Sequence, residues 1–187
     1  VLTGLTADED SALSFNYGKA TPAEFSQRLN ALFPGHAEDA GKLYPHADAE
    51  QAGRSVKDLT RERGVAAAMH WAADRRANGG KQPIYLYLFA HVEPSLDDGK
   101  FGAFHSAELP YVFQMLGKSP ERPFTRVDHA LSEAMAGYWV NFVRSGDPNG
   151  ADLPRWPAYV TPALELMRFD ASSEVQPALP ANKRAFF

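Results

Sequence analysis

The chain has no cysteine among its 187 residues. Disulfides, thiolate nucleophiles and cysteine-ligated zinc are therefore excluded, and thiol usage carries no information on redox compartment. It has no apolar run long enough to cross a bilayer. A net charge of −4 leaves no basic field for nucleic acid, so neither a membrane span nor a nucleic-acid partner is expected. No initiating Met and no charged-then-apolar leader precede Val1-Leu2-Thr3-Gly4, and the start reads as the middle of a longer polypeptide. Internal repeats, low-complexity blocks and linkers are missing as well, which leaves nothing to argue for a second domain.

Hydrophobic residues make up 44% of the chain, enough for a real core at this length. Val1 to Thr6 reads as the tail of a strand that leaves into the acidic loop Ala7-Asp8-Glu9-Asp10-Ser11. Thr21-Pro22-Ala23-Glu24 opens a helix with an N-cap, a proline at the first position and a glutamate placed to reach back. Phe25, Leu29 and Leu32 form its apolar face, and a weaker helix is expected over Ala37 to Leu43. Ala49 to Ala77 reads as one long helix broken at Gly64. Pro83 to Ala90 is a nearly continuous apolar and aromatic run, the pattern of a strand buried on both faces of a mostly parallel sheet. A short helix is expected from Ala107 to Leu116, with Pro110 in its first turn. The clearest helix is capped by Thr125, carries Val127, Leu131, Ala134, Tyr138 and Phe142 on one face, and stops at Gly146. Leu164 to Phe169 reads as a short edge strand, and the Pro- and Ala-rich tail is expected to fray.

One stretch carries the chemistry: Gly102-Ala103-Phe104-His105-Ser106-Ala107-Glu108. A histidine in a Gly-bearing loop ahead of an apolar run can stand at the mouth of a fold while its neighbours anchor the backbone. In α/β sheets the working residues lie beyond the carboxyl ends of the strands. A histidine base needs a carboxylate that fixes its tautomer, and Glu9, also past a predicted strand, is the candidate. The order acid then histidine matches the last two steps of the α/β-hydrolase triad. The first step is absent: no Gly-x-Ser-x-Gly occurs, and Gly117-Lys118-Ser119 runs on into Pro120-Glu121. Without that elbow and its oxyanion donors, this polypeptide alone is not expected to turn over an ester.

Four segments together carry a resemblance. Gly4-Leu5-Thr6-Ala7-Asp8-Glu9 resembles the acid loop of type B carboxylesterases, the cholinesterase-like α/β-hydrolases, and Gly102 to Glu108 resembles their histidine loop. Tyr138-Trp139-Val140-Asn141-Phe142 with Ser145-Gly146-Asp147-Pro148-Asn149 is similar to their Trp-x-Asn-Phe…Gly-Asp-Pro-Asn helix end. Trp156-Pro157-Ala158-Tyr159 is similar to their Trp-Pro-x-Tyr. The chain departs from the pattern at Asp10, Val143 and Ser145. The resemblance implies the C-terminal part of an α/β-hydrolase fold, a mostly parallel sheet flanked by helices.

It further implies a serine hydrolase of carboxylic esters, with His105 as base, Glu9 as triad acid and Glu108 as a buried carboxylate orienting water or backbone. It implies no cofactor and no metal. The partners would be a small-molecule ester and the N-terminal segment of the same hydrolase, either truncated away or supplied as a separate companion chain, which brings the serine; the few strands of this chain also leave an apolar face that such a companion is expected to cover. The alternatives are a non-catalytic cholinesterase-like interaction module and a free-standing α+β domain with an incidental His105. A metal cluster of His105 and Glu108 with His91, Glu93, Asp97 and Asp98 is disfavoured, because zinc sites normally show a second well-spaced histidine.

Overall fold

A computed structural model describes residues 1–94, 99–159 and 164–187. Among these, four strands form one sheet in the order β1-β2-β3-β4: Leu2–Thr6, Tyr85–Phe89, Glu165–Phe169 and Glu174–Pro177. The first three run parallel, with Thr6 opposite Phe89 and Phe89 opposite Phe169, and β4 returns antiparallel to β3. The carboxyl ends of β1, β2 and β3 therefore share one edge, from which Glu9, His91 and Asp170 emerge. This mostly parallel sheet flanked by helices is a partial α/β-hydrolase fold.

Strand β2 is buried at every position except the half-buried Tyr87, as its unbroken apolar run dictates. β3 is an interior strand and not an edge. The edge on that side is β4, a segment expected to belong to a fraying tail. The tail is held beyond it too: helix α6 (Ala181–Phe186) places Lys183 Nζ at 2.9 and 2.8 Å from the two oxygens of buried Glu62, whose Oε2 also accepts the Tyr44 hydroxyl at 2.7 Å. An ammonium on a buried carboxylate that is itself hydrogen-bonded resists removal of either partner.

Helices α1 (Pro22–Leu32) and α2 (Ala37–Leu43) form as expected, α1 with a complete capping box between Thr21 and Glu24. They pack with the first half of α3 (Ala49–Ala77) around Phe25, Leu29, Tyr44, Val56 and Leu59, a small core beside the main one. The expected break at Gly64 does not occur, and α3 is continuous over 29 residues. Gly64 serves packing: a Cβ there would stand 2.9 Å from Leu5 Cδ1, so the missing side chain lets the helix lie against β1.

Two further expectations are corrected. The helix after His105 covers only Leu109–Val112 (α4), followed by a 3-10 turn at Leu116–Lys118. Gln114 adopts a left-handed φ of 52°, with Met115 N–H donating to Pro110 C=O at 2.7 Å and Gln114 N–H to Tyr111 C=O at 3.3 Å. That is the Schellman termination, with glutamine where glycine is usual. Helix α5 (Arg126–Ser145) starts at Thr125 and ends on left-handed Gly146 as expected, but Val127 is exposed. Its buried face is Asp128, Leu131, Ser132, Met135 and Tyr138, a carboxylate standing in the first turn where an aliphatic residue is expected.

The main core is aromatic. Trp156 is fully buried and has Tyr85, Tyr87, Tyr138, Trp139 and Phe169 around its ring at centroid distances of 5.3 to 6.4 Å. Its Nε1–H donates to Leu86 C=O at 3.0 Å. Its backbone is gripped by Asn149, whose Oδ1 accepts Trp156 N–H at 2.7 Å while Nδ2 donates to its C=O at 2.9 Å. The turn after α5 thus plugs the indole into the sheet.

Candidate active site

Past the end of β1, Ala7 N–H still bonds Phe89 C=O at 2.7 Å, and the chain then diverges from β2. The histidine loop does not follow β2 directly. It returns to lie beside the acid loop, where Asp8 and Phe104 form an isolated parallel bridge. Asp8 N–H donates to Ala103 C=O at 2.9 Å, and Ala103 N–H donates back to Asp8 Oδ2 at 3.0 Å. Asp8 Oδ1 accepts the Tyr17 hydroxyl at 2.9 Å, and Ser11 Oγ donates to Phe101 C=O at 2.6 Å. Gly102 makes this zip possible: its φ is 59°, and a Cβ there would stand 2.3 Å from Asp8 Oδ2.

His105 and Ser106 are the corner of a turn closed by Ala107 N–H to Phe104 C=O at 3.0 Å. Ser106 has a φ of 71° while His105 does not turn left-handed, the pattern of a type II turn, which requires positive φ at its third residue. The corner pushes the imidazole outward. His105 Nδ1 lies 2.6 Å from Glu9 Oε2, while Glu9 Oε1 accepts the Thr6 N–H at 2.8 Å. The sequence-predicted pair is therefore in contact, with the His105 side chain 61% exposed and that of Glu9 32% exposed. A carboxylate can only accept, so the Nδ1 proton points at Glu9 and the Nε2 lone pair is left for another group. Among the described residues nothing bonds Nε2.

The hydrogen bond from His105 to Glu9, and then the charge of Glu9, raise the His105 pKa above its ordinary 6.5. Because the folded value is raised, the stability this pair contributes is fully present below pH 6.5 and is lost as pH rises through the raised value. In histidine-labelled full-length protein, NMR titration is expected to place His105 above 6.5, and Glu9→Gln to bring it back toward 6.5. A His105 pKa indifferent to that substitution would mean that the contact is not held in solution.

Glu108 stands at the N-cap of α4. Burial raises its pKa and the charge of Glu9 adds to this, although a hydrogen bond with its own backbone opposes it. Its Oε2 is buried and unpartnered among the described residues. Burial and the charges of Glu108 and Glu9 raise the Tyr87 pKa in turn. Two carboxyls near one imidazole thus have different surroundings: Glu9 bonds His105 and the Thr6 N–H, while one oxygen of Glu108 is buried without a partner.

Sequence reasoning missed Asp8, hidden in what reads as an acidic turn, and the pairing of His91 with Asp128 at 2.8 Å. The spacing Thr125-x-x-Asp128 signals a capping box, but nothing local signals that its carboxylate reaches a histidine on another element. His91 is taken up by that contact. Glu93 pairs with Arg122, and Asp97 and Asp98, with the turn expected there, lie outside the described residues. Among the described residues no group of three or more His, Asp or Glu side chains could hold a metal ion.

The profile of the carboxylesterase family matches residues 11–187. The chain is similar to cocaine esterase of Homo sapiens, 33% identical over 110 residues, which cover 57% of this chain and 20% of that protein. It is similar to phenmedipham hydrolase of Pseudarthrobacter oxydans, 29% identical over 171 residues, 85% of this chain and 33% of that protein. Carboxylesterase 5A of Mus musculus is 42% identical over 91 residues, 45% of this chain and 16% of that protein. The match spans a third or less of each of these relatives. On this match over residues 11–187, the chain belongs to the carboxylesterase family.

Proposed function

We propose that these 187 residues are the C-terminal portion of one α/β-hydrolase catalytic domain and supply the acid and base of a serine carboxylic ester hydrolase. The serine lies on a segment outside them. The observation that carries this reading is the 2.6 Å contact of Glu9 with His105 Nδ1, held at the carboxyl edge of a parallel sheet. Esterase and hydrolase names among the relatives support the reaction class.

His105 Nε2 takes the proton of the serine hydroxyl as its oxygen adds to the ester carbonyl. The imidazolium that forms is stabilised by Glu9, which stays ionised, and it returns the proton to the alkoxide that leaves. The acyl-enzyme is then cleaved by water through the same exchange, freeing the carboxylic acid and restoring the serine. Glu108, beside both groups, orients water or backbone at the site. Without the nucleophile segment these residues do not turn over ester.

Exposed apolar side chains also support a companion segment. Leu13 and Phe15 follow the acid loop, Phe101 precedes His105, and Leu109, Phe113 and Met115 follow it, with exposures between 38% and 91%. Apolar side chains left exposed on the segments that flank Glu9 and His105 mark surface that something covers.

Labelling of the full-length protein with a serine-reactive fluorophosphonate tests the reading. One modified serine in a Gly-x-Ser-x-Gly sequence is expected, with modification lost in His105→Ala. A full-length protein with no reactive serine would overturn it in favour of a non-catalytic cholinesterase-like module.

A further inference from the structure

The connection from β2 to α4 leaves the sheet at His91 and closes at Tyr111, with His105 near its far end. One carboxylate oxygen holds both stems. Asp128 Oδ1 lies 2.8 Å from His91 Nε2 and accepts the Tyr111 hydroxyl at 2.8 Å. Its other oxygen, Oδ2, accepts Thr125 N–H at 2.8 Å and Thr125 Oγ1–H at 2.7 Å, sealing the first turn of α5. Asp128 is 2% exposed. Burial alone would push its carboxyl up, but the hydrogen bonds from His91, Thr125 and Tyr111 outweigh burial and hold it at about 2.

Neighbouring contacts brace the same points. Ser132 Oγ donates to Tyr111 C=O at 2.8 Å, Asp170 at the end of β3 lies 3.7 Å from His91 Nδ1, and Glu93 pairs with Arg122 just ahead of α5. A capping aspartate needs only Thr125, and Oδ2 meets that need. The use of Oδ1 on the entry and exit of one loop is a separate feature. It fixes the separation of the two stems, and with it where the loop between them can reach.

We propose that Asp128 is a positioning residue for His105: by clasping His91 and Tyr111 on a single oxygen it holds the histidine loop in the one placement where the imidazole meets Glu9. This rests on the reading of Glu9 and His105 as acid and base. Asp128 touches neither of them and acts through α4 and the sheet end.

Tyr111→Phe opens the exit tie alone and leaves the cap of α5 intact, and Asp128→Asn weakens both ties. In the full-length protein each is expected to lower kcat for a p-nitrophenyl ester by about 10-fold to 100-fold, the range for a slightly misplaced catalytic group, with KM within about twofold. In histidine-labelled full-length protein the His105 pKa should fall toward 6.5 in the same variants. A lowered Tm with kcat and the His105 titration unchanged would overturn the proposal, since a merely structural residue gives that result. Should the wild-type protein show no reactive serine, the acid–base reading fails by itself. The His105 titration in Tyr111→Phe then still decides whether Asp128 positions the loop.

Discussion

Replacing His105 with alanine in the full-length protein is expected to lower kcat for ester hydrolysis on the order of 10⁶-fold, the loss seen when a serine hydrolase is deprived of its base. No neighbour can take its place. Among the described residues His91 is fixed on Asp128, and Glu108 is half-buried at the N-cap of α4 with one carboxylate oxygen sealed off without a partner. Glu9→Gln is expected to cost less, about 10⁴-fold. An amide nitrogen placed toward Nδ1 favours the tautomer with its proton on Nε2, and that nitrogen can no longer accept the serine proton. If the glutamine oxygen turns to His105 instead, the nitrogen faces the Thr6 N–H that Glu9 now satisfies. Stopped-assay kinetics on both variants, with far-UV circular dichroism to show an unchanged fold, separate lost chemistry from lost structure. A loss under tenfold for His105→Ala would remove His105 from the reaction.

The second large effect is on stability. Trp156→Ala in the full-length protein is expected to destabilise the fold by about 3–5 kcal/mol, as other buried aromatic truncations do. The indole is fully buried among five other aromatic rings, so the space it leaves cannot close by moving one flexible side chain. Trp156→Phe keeps much of the packing but removes the Nε1–H that donates to the Leu86 carbonyl, and about 0.5–1.5 kcal/mol is expected from that alone. Urea unfolding with an unchanged slope would give both values. An alanine variant as stable as the wild type would mean that the aromatic cluster does not hold β2, β3 and α5 together.

Local chemistry was legible in the sequence where one residue type has one use. Thr21 and Thr125 read as caps because a hydroxyl ahead of a helical pattern has an orphan N–H to satisfy, and both cap. The apolar run at Tyr85 to Phe89 could be solvated on neither face, and it became an inner strand. His105 and Glu9 were legible from their motifs, and the structure puts them in contact. What was not legible depends on distant partners. Gly64 reads as a helix break until Leu5 is seen across from it. Leu164 to Phe169 reads as an edge strand because β4, its true outer neighbour, looks like a loose tail. Val127 has the helical spacing of a core residue, yet Asp128 takes the buried place, since His91 and Tyr111 supply the donors that make a buried carboxylate tolerable. Gln114 gives no sign that it will turn left-handed and end α4.

In the proposed reaction His105 serves a serine on a segment outside these residues. The most direct measurement is the distance from His105 Nε2 to the modified serine in a crystal structure of the full-length protein after reaction with a phosphonate ester. Hydrogen-bond distance, about 2.6–3.2 Å, with Glu9 still on Nδ1, is the predicted result. A phosphonylated serine paired with a different histidine, or with none, would contradict it.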